Sequence, residues 1–268
     1  MTKMLFETNG GKHLAATLLL VTGLLACSVK EDRTPCPCYL HVSLADTETE
    51  GPFTLQCWNG SLLFREELRS ENCRPFWSRA VEKGFPTVSA CRGIRQSEIM
   101  ENRVTVPEGR QADSLYTFCT QVDATGEFAS VPVSFHKQFA TVFLDIRKTA
   151  GELTEYRVSV EGNTYGIDLR DNSPLPGRFH FAPVANEGDA ILRFRLPRQA
   201  DEALSISISH EDDGASVFPL GEIIRDTGYN WKSEDLQDIY VSIDLTRGKV
   251  HIVTGEWENG MNLPFVNT

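Results

Sequence analysis

The sequence predicts an all-β protein, and three observations carry that prediction. Apolar and polar residues alternate with period two in short runs: Leu40, Val42 and Leu44 against His41, Ser43 and Ala45, then Leu204, Ile206 and Ile208 against serines, then Ile239, Val241, Ile243 and Leu245. Such runs read as half-buried strands with one face on a core and one in water. Turn-forming pairs punctuate them, Asn59-Gly60 and Arg247-Gly248 among them. Only Ile94–Met100 and Ser233–Gln237 have the makings of even a short helix. Short strands at this spacing point to a sandwich or barrel rather than to a parallel sheet covered by helices.

After the first alternation, Phe53–Trp58 and Ser61–Arg65 flank Asn59-Gly60, a strong hairpin signal because both residues tolerate positive φ. Glu66–Pro75 is a polar loop holding Cys73. A second strand pair surrounds Glu82-Lys83-Gly84, and Pro86 puts its return arm, Phe85–Cys91, at an edge or at a strand start. Val104 and Val106 form a short strand stopped by Pro107-Glu108-Gly109, and Ser114–Thr120 forms another. Phe128–Phe135, an edge candidate through Pro132, and Phe139–Ile146 are separated by His136-Lys137-Gln138.

Tyr156–Val160 and Tyr165–Leu169 follow around a turn at Glu161-Gly162-Asn163, then a loop at Asp171–Gly177. Phe179–Phe181, Ala190–Leu196, Leu204–Ser209 and Phe218–Ile224 continue the strands, and a terminal hairpin turns at Arg247-Gly248 and returns through Val250–Trp257. The cysteines stop at Cys119 and a fresh alternating series begins with Val142, so a boundary falls between an N-terminal sandwich, 36–135, and a C-terminal one, 136–268.

The chain opens on a different kind of segment. Lys3 and Lys12 precede an uncharged apolar run, Leu14–Leu25, of about a dozen residues, the range of a signal peptide. It is shorter than the roughly 20 apolar residues a transmembrane helix needs. Ala26 is the small residue before the cut, and Cys27 is the first residue after it, with Leu24 three positions earlier; this resembles the bacterial lipobox. The chemistry calls for cysteine, whose thiolate accepts a diacylglycerol as a thioether. The competing reading is a plain signal peptide in which Cys27 is incidental. Residues 1–26 are then the signal and 27–35 a lipidated linker.

Removing two lysines and one glutamate with the signal takes the net charge from -11 to -12. An acidic chain without a basic patch is a poor binder of nucleic acid or of anionic lipid by charge. Membrane attachment would then come from acyl chains, which hold stably when two or three act together.

Six further cysteines, Cys36, Cys38, Cys57, Cys73, Cys91 and Cys119, lie in the first half. An even count in an exported chain favours disulfides, with fifteen possible connectivities. Cys36 and Cys38 are too close in sequence to suit each other. A zinc site on Cys36, Cys38 and His41 is the sharper alternative, but paired Cys-x-x-Cys spacing is absent.

Catalytic spacings are missing. The chain has no Gly-x-Ser-x-Gly, no His-Glu-x-x-His and no phosphate-cradling Gly-x-x-x-x-Gly-Lys. His41, His180 and His251 fall in strands, and Asp168 and Asp171 have no separation that sequence defines. The acidic turn His210–Gly214 lacks EF-hand spacing. Asp113-Ser114-Leu115 looks like an O-glycosylation acceptor of Bacteroidota, against the plainer reading of a strand-start serine. Trp58, Trp77, Trp231 and Trp257 are candidates for stacking on sugar rings, although each sits at or near a strand or hairpin end, where a core or rim role is the default. The expected class is therefore not an enzyme, with no cofactor and no metal.

Cys27 through Arg33, followed by Cys36-Pro37-Cys38-Tyr39-Leu40, resembles the start of the fimbrial anchor lipoproteins of Bacteroidota, the FimB-type family. Val81–Phe85 through Ala90–Gly93 is similar to that family's first-domain hairpin, and Gly228–Trp231 through Leu236–Val241 to its closing segment. The resemblance implies two tandem transthyretin-like β-sandwiches of Greek-key type, and an outer-membrane lipoprotein that anchors a fimbrium at the cell surface. Lys30, Glu31 and Asp32 resemble the tract that directs such lipoproteins to the surface. The partner it implies is the fimbrial shaft subunit, paired by β-strand addition, in which main-chain hydrogen bonds supply affinity and alternating side chains supply register. A surface glycan-binding lipoprotein is the alternative.

Overall fold

The computed structural model describes residues 36–44, 51–147, 153–187, 189–210 and 214–255. In chain order the strands are β1 (Cys38–Leu44), β2 (Pro52–Asn59), β3 (Ser61–Arg69), β4 (Trp77–Val81), β5 (Thr87–Arg92), β6 (Glu98–Met100), β7 (Arg103–Thr105), β8 (Tyr116–Gln121) and β9 (Phe128–Val133). They continue with β10 (His136–Lys137), β11 (Phe139–Arg147), β12 (Tyr156–Asp168), β13 (Pro174–Phe181), β14 (Leu192–Pro197), β15 (Ser205–His210), β16 (Ser216–Phe218), β17 (Asp238–Asp244) and β18 (Lys249–Gly255), and a short α-helix, α1 (Leu220–Asp226), precedes β17. The architecture is all-β, of the sandwich type.

Four sheets result. The first has the order β4-β1-β9 and the second β10-β8-β5-β2-β3. The third is β14-β11-β17-β18 and the fourth β16-β15-β12-β7-β6, with β13 pairing on β12. Side chains of the first two meet in one core: Leu40 and Val42 of β1 and Val131 of β9 with Leu55 of β2 and Val88 of β5. A second core unites Val142, Leu144 and Val241 of the third sheet with Val158, Val160, Ile206 and Ile208 of the fourth. Each such side chain contributes about 1.5–3 kcal/mol when fully buried. A smaller cluster gathers Cys91 and Leu115 with Val104, Ile167 and Leu169.

Several expectations hold at the level of single residues. In β15 the serines are partly exposed and Ile206 and Ile208 are buried. Gly60, at φ +72°, turns the β2–β3 hairpin. Pro132 lies in β9, an edge strand of its sheet. Parallel pairs occur without covering helices: β1 with β9 and β11 with β17.

Other expectations are corrected. Trp77–Val81 and Thr87–Arg92 do not pair, because β4 joins β1 while β5 joins β2 and β8. The polar stretch after Glu66 is strand as far as Arg69, followed by a 3-10 turn at Ser70–Cys73. Glu161-Gly162-Asn163 is no turn. β12 runs straight through it, with register shifts against β13 at Gly162/Thr164 and Thr164/Gly166. A Cβ at Gly162 would stand 3.0 Å from Gln199 Oε1, so this glycine marks a close approach within a strand. β13 likewise begins at Pro174, inside the expected loop.

Both helix candidates fail, and the α-helix found among the described residues lies elsewhere. Asp113 Oδ2 accepts the N–H groups of Arg95, Gln96 and Ser97 at 2.8, 2.9 and 2.8 Å, which holds the start of Ile94–Met100 as a loop. The carbonyls of Ser233 and Glu234 are taken by Arg198. Helix α1 forms where a strand was expected. Strand β16 ends before Pro219, and Leu220, Gly221 and Ile224 turn inward at helical spacing.

Candidate functional site

The residues that most define the expected function, Ala26, Cys27, Lys30, Glu31 and Asp32, lie outside the described residues, as do Trp257 and the acidic turn Glu211–Asp213. The described chain opens at exposed Cys36 and passes directly into β1. That strand is the centre of its sheet, bound antiparallel to β4 from Cys38↔Val81 to Val42↔Trp77 and parallel to β9 from Tyr39↔Phe128 to Leu44↔Val133.

The disulfide expectation is corrected: Cys36, Cys38, Cys57, Cys73, Cys91 and Cys119 are all free thiols. Cys57 faces the first core and Cys91 the smaller cluster, so these neighbours-in-sheet point to opposite sides. Cys91 and Cys119 share a face but stand diagonally, Cys91 opposite Thr117 and Cys119 opposite Ser89. Diagonal positions are about 7–8 Å apart, whereas a disulfide needs a Cβ separation of about 3.5–4.5 Å. Cys119 donates instead to the Arg170 carbonyl at 2.6 Å. Burial pushes the Cys57 thiol up to about 11 and Cys91 up to about 12, keeping both protonated and unreactive.

The outer face of the first sheet carries a run of exposed aromatic rings. His41 stacks on Phe76 at 4.2 Å and tilts against Phe128 at 5.3 Å, and Tyr39 meets Phe128 at 6.0 Å. Phe128 is 63% exposed, Tyr39 47% and Phe76 45%. Sheet edges add main-chain groups suited to pairing. β4 and β9 end the first sheet, and β18, seven residues without proline, ends the third.

A cleft of about 560 Å³ opens between β8 and the segments 171–174, 198–200 and 231–234. Half-buried Phe118 and Trp231 both line it. Arg198 braces one wall. Its Nε donates to Gln138 Oε1 at 2.8 Å, Nη2 to the carbonyls of Ser233 and Glu234 at 2.7 and 3.1 Å, and Nη1 to the Trp231 carbonyl. His136 Nδ1 lies 3.0 Å from Asp235 Oδ2, which pins the same segment to β10. A larger cleft, about 680 Å³, lies by Arg92, Arg95 and Tyr116.

Of the other candidates, Trp58 is buried and Trp77 packs half-buried against the first core. His180 Nε2 lies 3.2 Å from Ser159 Oγ. Asp168 is buried against Arg170 and Asn102, whereas Asp171 is exposed at the cleft. Ser114 precedes β8 rather than beginning it. Among the described residues no three His, Cys, Asp or Glu side chains are grouped to hold a metal ion, and no helix is long and apolar enough to cross a membrane. Sequence reading missed Phe118, Asn172, Arg198 and Gln199. Only Asn172 carried a usable signal, as a loop asparagine able to adopt the left-handed φ of 58° that it has here.

No family model matches this chain, and no curated protein matches it. Solved structures share its fold. The fimbrial anchor protein Mfa2 from Porphyromonas gingivalis, 12% identical, superposes with a TM-score of 0.58 over 83% of this chain and 98% of its own. A candidate adhesin from Bacteroides ovatus, also 12% identical, gives 0.59 over 85% and 97%. A candidate polysaccharide-binding protein from Bacteroides thetaiotaomicron, 15% identical, gives 0.57 over 81% and 98%.

Proposed function

We propose that this chain is a non-enzymatic surface lipoprotein that holds a fimbrium in the outer membrane through acyl chains on Cys27 and pairs with the shaft subunit by β-strand addition. The observation that carries the reading is Cys27 itself. An acylation-type cysteine ends an apolar run eleven residues before β1, in a chain that shares its fold with a fimbrial anchor over nearly that protein's whole length. Ala26 is the residue before the cut, and Lys30, Glu31 and Asp32 are the export tract. The exposed aromatic face and the strands that end the sheets among the described residues supply the kind of surface that a β-rich partner pairs with. The acidic charge speaks against nucleic acid as a partner.

The test compares cells carrying wild-type chain with cells carrying Cys27→Ala. Anchoring through Cys27 predicts that the variant sheds fimbriae into the medium, and that the wild-type chain brings down the neighbouring shaft subunit from detergent extracts. Equal shedding by the two strains sinks the proposal.

A further inference from the structure

We propose that the outer face of the sheet β4-β1-β9 rests on the lipid bilayer, an inference that builds on acylation of Cys27 and gives the aromatic surface its occupant. Alternation decides which residues form that face. Leu40 and Val42 of β1 and Ala129 and Val131 of β9 turn into the first core. Their neighbours turn outward: Tyr39 lies beside Ala80 and His41 beside Ser78 across the antiparallel pair, with Phe128 and Ser130 on their other side in β9. Phe76 joins them through its stack on His41.

This face carries no charge. Arg79, the one charged residue of β1, β4 and β9, points the other way, its guanidinium 4.6 Å from the centre of the Phe64 ring and paired with Glu66. The outer face of the third sheet shows the contrast, since Arg147, Asp244 and Lys249 make one cross-strand row there. In a chain of net charge -11, exposed aromatic rings on an uncharged sheet face mark a contact surface.

An aromatic β-face suits a protein as well as lipid, and three features favour lipid. Charged groups are costly to bring against hydrocarbon, and this face has none to desolvate. Tyr39 and His41 each join an apolar body to a polar tip, the construction that suits the boundary of bilayer and water. Position supplies the third. Cys27 precedes β1 by eleven residues, which reach at most about 40 Å at full extension, so β1 is the first described strand beyond the acylated end. Tyr39, second in β1, and Phe128, first in β9, put their rings at the end of the sheet where the tethered chain enters. Held there by the tether, a weak contact is enough.

The test places the full acylated chain in vesicles of phosphatidylcholine and phosphatidylethanolamine whose acyl chains carry bromine, a contact quencher of tryptophan. Phe128→Trp and Val184→Trp each add a tryptophan at an exposed position, the second outside the first sheet, so neither reaches into a core. Emission added by Phe128→Trp is quenched by the brominated lipid, and emission added by Val184→Trp is not. Equal quenching of the two, or none for Phe128→Trp, overturns the proposal while leaving anchoring through Cys27 intact. Should Cys27 prove unacylated, anchoring fails and the bare mature chain decides. Co-sedimentation with the same vesicles, lowered by about tenfold or more when Phe76→Ser and Phe128→Ser are combined, upholds the proposal; no co-sedimentation overturns it. A chain that leaves the vesicles unquenched but dimerises or binds the shaft subunit through this face, as read by loss in the same double variant, gives the face to a protein and also overturns the proposal.

Discussion

Asn102 donates its side-chain N–H to Asp168 Oδ2 at 2.6 Å across sixty-six residues of chain, with both side chains buried. Asp168 lies at the end of β12, and the contact sits where β7 lies along that strand, Arg103 opposite Asp168 and Thr105 opposite Gly166. The β6–β7 pair therefore belongs to the sheet built mainly from later strands, although it precedes β8 and β9 in the chain.

Removing that carboxylate is expected to cost about 2–3 kcal/mol, because Asp168→Ala leaves the Asn102 amide buried without its partner and frees Arg170. Urea unfolding reads the loss directly. A change of under about 0.5 kcal/mol, the scale of an ordinary surface substitution, would show that the contact does not support the fold.

Acid should destabilise the protein through Asp168 and Asp113. Burial pushes each carboxyl up, but hydrogen bonds outweigh it and hold both below the usual carboxylate range. Those bonds come from Arg170 and Asn102 on Asp168, and from the N–H groups of Arg95, Ser97 and Gln96 on Asp113. With depressed native values, the unfolded chain binds more protons than the folded one near the ordinary carboxylate pKa of about 3.9. The stabilisation is complete above that value and is lost as pH falls through the folded values. Unfolding free energy measured from about pH 6 downwards should fall in acid, and Asp113→Ala should make the fall shallower.

Gly93→Ala should destabilise far more than Gly109→Ala. Both glycines have positive φ, +88° and +76°, but a Cβ at Gly93 would stand 1.9 Å from the Ser114 carbonyl oxygen while one at Gly109 meets nothing within 4 Å. Expected losses are about 3 kcal/mol or more for Gly93 and about 1 kcal/mol for Gly109. Matched thermal melts of the two variants decide it; equal losses would contradict the close approach of Gly93 to Ser114.

Thiol titration checks the cysteine pattern. Unreduced chain, unfolded in denaturant, should alkylate at Cys36, Cys38, Cys57, Cys73, Cys91 and Cys119, whereas the folded chain should react first at exposed Cys36 and slowly at the buried ones. Mass spectrometry counts the adducts. Fewer than six on the unfolded, unreduced chain would mean that bridges form after all.

Much of this was legible in sequence. Alternation with period two located most strands, because β geometry sends successive side chains to opposite faces and burial then shows as a pattern. Asn59-Gly60 announced its hairpin through backbone conformation alone. Where strands pair was not legible: Val81 and Thr87 are six positions apart in the chain yet their strands join different sheets. The failed helix at Ser233–Gln237 was decided by a remote group, since Arg198 takes the Ser233 and Glu234 carbonyls that a helix would use.

By itself the sequence determined the all-β class, the apolar run ending at Cys27 and the lack of catalytic spacing, since each depends on the order of neighbouring residues. Tertiary structure alone decided that the cysteines stay apart and that Phe118, Asn172, Gln199 and Trp231 line one cleft. Those relations depend on which strands lie side by side. Main-chain pairing brings distant residues to one face without leaving a mark on the local pattern.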